Sequence, residues 1–511
     1  MSFLLNSQGG NQHPVRISDG LTENIGFTFL GEAGTKKTIE KFLTSDPEVI
    51  RERQTFFYDL LETEELVEFI GTLAEKIEPI IQLESEKPSL RNRGTNESIF
   101  SSFRELLFFT ECIDFILENE KGFRGKVKAD GIHTLFDKAR EIAGAEWYQN
   151  AKLYIEKICE EIKDIQSVTI GINLDAQLGV LEAGIVSVNP KKFTTNTLLD
   201  KMFAKNISEK DYICIAPIAA RELRNSGVSM QIVNGHLYAA MSEIVGKSLK
   251  KIKQYLYDNL SSNTYFLIDG YDELKFIATC AHYLLSMKAA GMPLCLPEIS
   301  DHYKIERLYN PNLVGTVPAV NIVKNDVSFD ENGKIFILTG ANSGGKSIYL
   351  RSVGIAQILF QLGLPIPARN ADMEICSEIF SLFSSKVSDT RGGRFENECK
   401  GLLAFYKETT ENSLILLDEM FASTSSFEGT IVAARVLKYF AQTGCKCIYT
   451  THMHDLIPEI EAINAEPNIK SRVDGLSAEM INRTATYKIK RCRESYYGYA
   501  EEICKKYGFD F

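Results

Sequence analysis

The sequence predicts a multidomain chain: an elongated α-helical body with a small β-rich insertion, followed by an α/β domain built around a phosphate-binding loop. Three observations predict it. Stretches between about residues 36 and 165 repeat apolar residues at intervals of three and four, the period of amphipathic helices. The segment 167–190 turns rich in Val, Ile and Gly, as a hairpin or small sheet would. After about residue 312, apolar strand-like runs alternate with helical ones, the rhythm of a mostly parallel sheet covered on both faces.

The bulk properties fit this. A chain of 511 residues is long enough for several domains, each with its own core. Hydrophobic residues make up 44% and charged residues 24%, as in ordinary soluble globular proteins. The net charge of −11 argues against a polycation that coats nucleic acid, although a local basic surface remains compatible with an acidic whole. The 11 cysteines show no paired CxxC sets with zinc spacing, and Cys445 and Cys447 in "CKCIYTTH" read as two thiols on one face of a strand. That usage suits a reducing cytosol. The N-terminus "MSFLLNSQGGNQHPVRISDG" has no basic start and too short an apolar run for a signal peptide. No stretch reaches the ~18 apolar residues of a membrane span. The expected location is cytoplasmic, without membrane association, and residues 1–35 are expected to be poorly ordered.

In order, "PEVIRERQTFFYDLLETEELVEFIGTLAEKI", "SIFSSFRELLFFTECIDFILENE" and "AEWYQNAKLYIEKICEEIKDI" read as long helices. The hairpin segment "SVTIGINLDAQLGVLEAGIVSVNP" and a polar stretch follow. Helices return in "LYAAMSEIVGKSLKKIKQYLYDNL" and "YDELKFIATCAHYLLSMKAAG", and the proline-bearing "MPLCLPEISDHYKIERLYNPNL" reads as a connector. Then "KIFILTG", "SLILLDE" and "KCIYTTH" read as strands, with "GKSIYLRSVGIAQILFQLG" and "EGTIVAARVLKYFAQTG" as the helices between them.

Gly340, Ala341, Asn342, Ser343, Gly344, Gly345, Lys346 and Ser347 match G-x-x-x-x-G-K-[ST], directly after a strand and opening a helix. Glycines let backbone N–H groups turn inward around a β-phosphate, and the helix aims its positive end at the anion. Lys346 would reach the β- and γ-phosphates, and the Ser347 hydroxyl would ligate Mg²⁺. Asp418 ends the strand "SLILLDE" on the same sheet edge and can hold the metal's water shell. Glu419 can polarise the attacking water. His452 ends the next strand on that edge and can contact the γ-phosphate or the water. His454 carries no comparable argument. These residues predict an ATPase using ATP and Mg²⁺, of the class in which two such domains sandwich nucleotide between them.

In and around these residues, the chain resembles the MutS family of DNA mismatch-repair ATPases. "TGANSGGKSIYLRSVG" resembles that family's TGPNMGGKSTYLRQ-type loop, and "LLDEMFASTSSFEGTIVAARVL", with Thr424, Ser425, Glu428 and Gly429, resembles its DE-x-x-x-x-T-S segment. "TTHMHDL", "NIVKNDVSF" and "TYKIKRCRESYYGYAEEICKKYGF" are similar to further family blocks in the same order, over about 320–510. "IRERQTFFYDLL" and "LIDGYDELKFIATCAHYLL" are weaker echoes of its lever helices. The resemblance implies a helical lever/core domain over 36–305 with a clamp-like β-containing insertion near 165–240, then an ABC-type P-loop ATPase domain over 306–511. It implies a homodimer through the ATPase domains, with DNA enclosed between levers and clamps. It carries phosphate binding to Lys346, Mg²⁺ to Ser347 and Asp418, a place beside the nucleotide to Asn342, water activation to Glu419 and γ-phosphate sensing to His452.

The departures from the family pattern are informative. Helical sequence starts near residue 36, so mismatch-recognition and connector domains are expected to be missing. Phe103-Arg104-Glu105 fits the mismatch wedge Phe-x-Glu, but inside a helical run, where an aromatic cannot be presented to a groove. The family's Ser-rich trans loop is replaced by "SDTRGGRFENECKGLL", in which Phe395 and Glu398 keep their spacing. Arg391 or Arg394 could there serve as an arginine finger, or the loop could be only a basic turn. Ile322 stands where the adenine-stacking aromatic is expected, and Tyr487 could supply the stacking instead. The sequence through Phe511 is expected to lack the family's C-terminal helix-turn-helix. Phosphate contacts to DNA would come from Lys191 and Lys192, from Lys247, Lys250, Lys251 and Lys253, or from "KGFRGKVK". The expected function is an ATP-dependent DNA clamp that reads mismatched, branched or distorted duplex by shape rather than sequence. The alternative is an ATP-gated protein-interaction switch that has lost DNA binding. An ATPase subunit of a transporter lacks support, for want of the LSGGQ signature.

Overall fold

The computed structural model describes residues 4–5, 13–90, 95–163, 166–178, 180–192, 216–218, 265–341, 344–384, 393–481 and 484–492. It divides into two compact units. One comprises Phe69–Arg124 and His133–Leu274; the other comprises Ser2–Glu68, Gly125–Ile132 and Lys275–Phe511.

The strands, in chain order, are β1 (Arg16–Ile17), β2 (Ser167–Leu174), β3 (Val180–Asn189), β4 (Ala216–Ile218), β5 (Glu298–Ile299), β6 (Tyr303–Leu308) and β7 (Asn325–Phe329). They continue as β8 (Ile335–Thr339), β9 (Asn370–Met373), β10 (Glu378–Phe383), β11 (Ser413–Asp418), β12 (Lys446–Thr450), β13 (Val473–Ile481) and β14 (Thr484–Arg491).

The first unit is helical with one small sheet. Helices Thr95–Phe123 and Glu146–Ile162 bury apolar faces, and aromatics of the first stack on neighbouring helices: Phe115 meets Phe69 with ring centroids 5.4 Å apart, and Phe123 meets Phe136 at 6.3 Å. Phe103 and Glu105 are buried within that first helix, so the Phe-x-Glu triplet is core rather than wedge. β2 and β3 form the antiparallel hairpin, joined by β4 into a three-stranded sheet. The helical stretch expected over 237–260, with Lys247, Lys250, Lys251 and Lys253, lies outside the described residues.

In the second unit, helix Pro47–Glu62 begins where its residue types say it should. Pro47 occupies the first turn, and the Asp46 carboxylate accepts from Glu48 N–H at 2.9 Å, satisfying a donor that has no partner within the helix. The main sheet has seven strands in the order β1-β10-β11-β12-β8-β13-β14, parallel throughout except the final antiparallel pair. The strands expected from "KIFILTG", "SLILLDE" and "KCIYTTH" become the neighbours β8, β11 and β12. Every residue of β8 and β12 is buried, as two-sided coverage of a parallel sheet requires. Helices Lys346–Gln361 and Ser426–Thr443 follow β8 and β11.

Two expectations are corrected here. The N-terminal segment is ordered over residues 13–35: β1 adds a parallel edge strand to β10, and Leu21, Ile25 and Leu30 are essentially fully buried. These elements are too short to show a period, but their apolar side chains still reach a core. The segment 292–313 is also more than a connector. It supplies β5 and β6 to a four-stranded sheet of order β5-β9-β6-β7, burying Tyr303, Ile305 and Leu308. Pro293, Pro297 and Pro311 flank the two strands instead of interrupting them, where their missing N–H groups cost no ladder bond.

Among the described residues, no helix is long and apolar enough to cross a membrane.

Candidate active site

The parallel strands β8, β11 and β12 end at one edge, and each delivers a polar group as its apolar run stops. The ladder sets Asp418 opposite Thr450, and Thr450 opposite Leu338 two residues before Gly340. The glycine-rich loop, the acidic pair and the histidine therefore share one edge by register alone, where open α/β sheets bind ligands.

Backbone approach, rather than turn freedom alone, fixes the loop. A Cβ on Gly340, whose φ is +129°, would lie 2.8 Å from the Ala478 Cβ, and one on Gly344 would lie 2.9 Å from that same atom. The loop thus presses against β13 at a distance only glycine permits. Helix Lys346–Gln361 starts at its end with Gly345 as N-cap in the left-handed region. Asn342 and Ser343 lie outside the described residues.

Lys346 is 3% exposed. Its Nζ donates to the carbonyls of Gly340 at 2.8 Å and Ala341 at 3.0 Å. Burial pushes this ammonium below the ordinary lysine value, while Glu419 and Asp418 pull it up. Ser347 Oγ donates to Asp418 Oδ1 at 3.1 Å, and the Thr450 hydroxyl donates to that same oxygen. The site therefore holds a buried cation whose contacting acceptors are neutral, beside a carboxylate ringed by hydroxyls.

After Asp418 the chain turns sharply. Glu419 and Phe421 both take left-handed backbone angles, φ +53° and +63°, a conformation that costs a non-glycine residue about 1–3 kcal/mol and gathers at functional sites. Glu419 N–H donates to Thr450 O at 3.0 Å, and the Tyr449 hydroxyl donates to Met420 O at 2.6 Å. The turn aims the Glu419 carboxylate at His452, whose Nε2 lies 2.6 Å from its Oε1. His454 lies two residues further on; burial and the nearby His452 push its imidazole below the ordinary histidine value.

A family model described as MutS domain V matches residues 336–503, and one described as MutS2 N-terminal domain matches residues 45–290. A DNA mismatch repair protein MutS from Clostridium botulinum (strain 657 / Type Ba4) is 24% identical over 445 residues, 83% of this chain. The chain is similar to MutS proteins along most of its length. A DNA mismatch repair protein MutS from Prochlorococcus marinus (strain MIT 9301) is 39% identical over 150 residues, 29% of this chain. These alignments cover 45% and 16% of the two relatives, so the chain spans less than half the length of the curated MutS proteins it matches.

Tyr487 sits beside the loop. Its Cδ1 lies 3.4 Å from where a Gly345 Cβ would be, its φ is +57°, and its ring is half exposed. Asn325 Nδ2 donates to Tyr487 O at 3.0 Å, tying it to β7. Ile322 is buried in the protein and presents no exposed face for stacking. Arg391 lies outside the described residues. Arg394 is engaged within its own chain, 3.3 Å from Glu398 Oε1 and bonded to the Ser384 hydroxyl. Thr450, Asn325 and Ser423 received no role from the sequence. Only Thr450 carried a signal, a polar residue closing an otherwise apolar strand.

Proposed function

We propose that this chain is an ATPase of the MutS type, whose ATP binding and hydrolysis are coupled to gripping mismatched, branched or otherwise distorted duplex DNA. The observation that carries the reading is Lys346. A buried ammonium contacted by two neutral carbonyls is costly, and a polyphosphate on the glycine loop would offset that cost. The glycine cradle, closed against Ala478 where a side chain would clash, leaves room for backbone N–H groups to meet an anion.

The donors fit Mg²⁺ as well as they fit nucleotide. Ser347 and Asp418 offer the hard oxygen ligands this ion takes, and they would hold it. When bound, Mg²⁺ neutralises phosphate charge. The chain's own residues supply the rest. Lys346 and the loop N–H groups bind and orient the phosphates. Glu419, fixed in its strained turn, orients a water and accepts its proton at the carboxylate. His452 holds that carboxylate in place, and Tyr487 offers a face to the base.

Two copies would pair through these domains, with nucleotide at the seam. DNA phosphates would be met by exposed Lys191 and Lys192, just beyond β3. The test is a panel of mismatched, branched and plain duplexes offered to the purified chain with ATP, ADP or a non-hydrolysable analogue. Nucleotide-dependent preference for distorted DNA supports the reading. Failure to bind any of them at low salt overturns the DNA part and leaves an ATP-gated protein switch.

A further inference from the structure

Glu398 lies in helix Arg394–Tyr406 and is 6% exposed. Its Oε2 accepts from Phe421 N–H at 2.9 Å and from the Ser423 hydroxyl at 3.2 Å. Its Oε1 lies 3.3 Å from Arg394 Nε. Arg394 also donates to the Ser384 hydroxyl, and Ser384 N–H donates to Asp418 O at 2.9 Å. One buried carboxylate thus gathers the two chain segments that leave the ends of β10 and β11.

The segment after β11 needs such a hold. Glu419 and Phe421 are both left-handed without being glycine, so an unrestrained backbone would relax out of this turn. Three bonds oppose that relaxation. Two come from β12, through Thr450 O and the Tyr449 hydroxyl. The third, at Phe421 N–H, comes from Glu398. It acts two residues downstream of Glu419, at the second strained position, and it comes from a different element.

We infer that Glu398 is a positioning residue, whose carboxylate clamps the Phe421 N–H and so keeps the Glu419 side chain against His452 in the hydrolysis-competent pose. This rests on the ATPase reading above. Glu398 is remote from the glycine loop in its bonding, so it is expected to govern turnover and not nucleotide affinity. The hydrogen bond, rather than the charge, is what the backbone requires, and an amide oxygen at the same reach can accept it.

The experiment compares full-length wild type with Glu398→Gln, Glu398→Asp and Glu398→Ala, measuring ATP affinity and kcat separately with Mg·ATP and checking folding by thermal unfolding. Glu398→Gln is expected to keep kcat within about three-fold of wild type. Glu398→Asp, one methylene too short, and Glu398→Ala are expected to lose about ten- to a hundred-fold, as a displaced reacting group does. ATP affinity should stay flat across the series. If Glu398→Ala fails to fold, the Gln and Asp variants decide. Activity retained in Asp but lost in Gln overturns the inference in favour of the Arg394 ion pair. Unchanged kcat in all folded variants, or affinity falling in step with kcat, overturns it as well. A wild type that turns over no ATP brings down the ATPase reading and this inference together.

Discussion

Nε2 of His452 lies 2.6 Å from Oε1 of Glu419, although 33 positions separate them in the chain. β11 and β12 are parallel neighbours in register, so each residue emerges just past its own strand end onto the same edge. With the carboxylate ionised, the imidazole N–H donates and Glu419 is held as a directed acceptor.

That pairing makes Glu419→Gln a clean test. The amide keeps the shape and loses the base, so hydrolysis should fall about 100-fold or more, with ATP binding kept and the ATP-bound dimer longer-lived. His452→Ala should cost less, because the base remains but is less well aimed. Single-turnover hydrolysis beside equilibrium nucleotide binding checks both. Normal turnover in Glu419→Gln would remove its assigned role.

Lys346→Met should abolish ATP binding while leaving the fold intact or firmer, because it removes a buried charge met only by neutral carbonyls. The pH dependence follows from the depressed lysine. Burial holds Lys346 below the ordinary value of 10.5, so the unfolded chain binds that proton more tightly than the folded one. Its contribution to stability is fully present above the ordinary lysine range and is lost as pH falls through the depressed folded value. Urea unfolding between about pH 7 and pH 10 should show wild type gaining on Lys346→Met as pH rises. A gap that does not change with pH would contradict this.

Gly363→Ala tests the packing beside the end of helix Lys346–Gln361. Gly363 has φ +81°, and a Cβ there would lie 2.3 Å from the Arg53 Cβ and 3.2 Å from Ile50 O. Strain and clash act together, and the variant should lose about 2 kcal/mol or more of stability. Calorimetric unfolding should show the loss, with the ATP affinity of the folded protein unchanged.

Replacing Lys191 and Lys192 together with glutamate should weaken DNA binding about uniformly across duplexes. It should also flatten the dependence of log affinity on log salt, by about one unit for each phosphate contact removed. Salt titrations on plain and branched duplexes check this. An unaltered slope would mean that neither lysine meets a phosphate.

Much of the nucleotide domain was legible in one dimension. "KIFILTGANSGGKS" and "SLILLDE" announce strand ends because continuous apolar runs stop at glycine or acid, and a parallel sheet brings such ends to one edge whatever its strand order. β1, β5 and β6 were not legible in this way. β1 and β5, at two residues each, are too short to display a period, while β6 alternates buried and exposed residues but lies among prolines that read as a connector.

The sequence by itself determined which groups could meet a phosphate: the glycines, Lys346, Ser347, Asp418 and Glu419 are chosen by chemistry and by their places at the ends of buried runs. Only the tertiary structure decided how those groups are held. Thr450 bonds to Asp418, Ala478 closes on Gly340, and Glu398 reaches Phe421 across 23 positions. These are contacts between segments distant along the chain, and neither composition nor periodicity encodes the distance at which such segments meet.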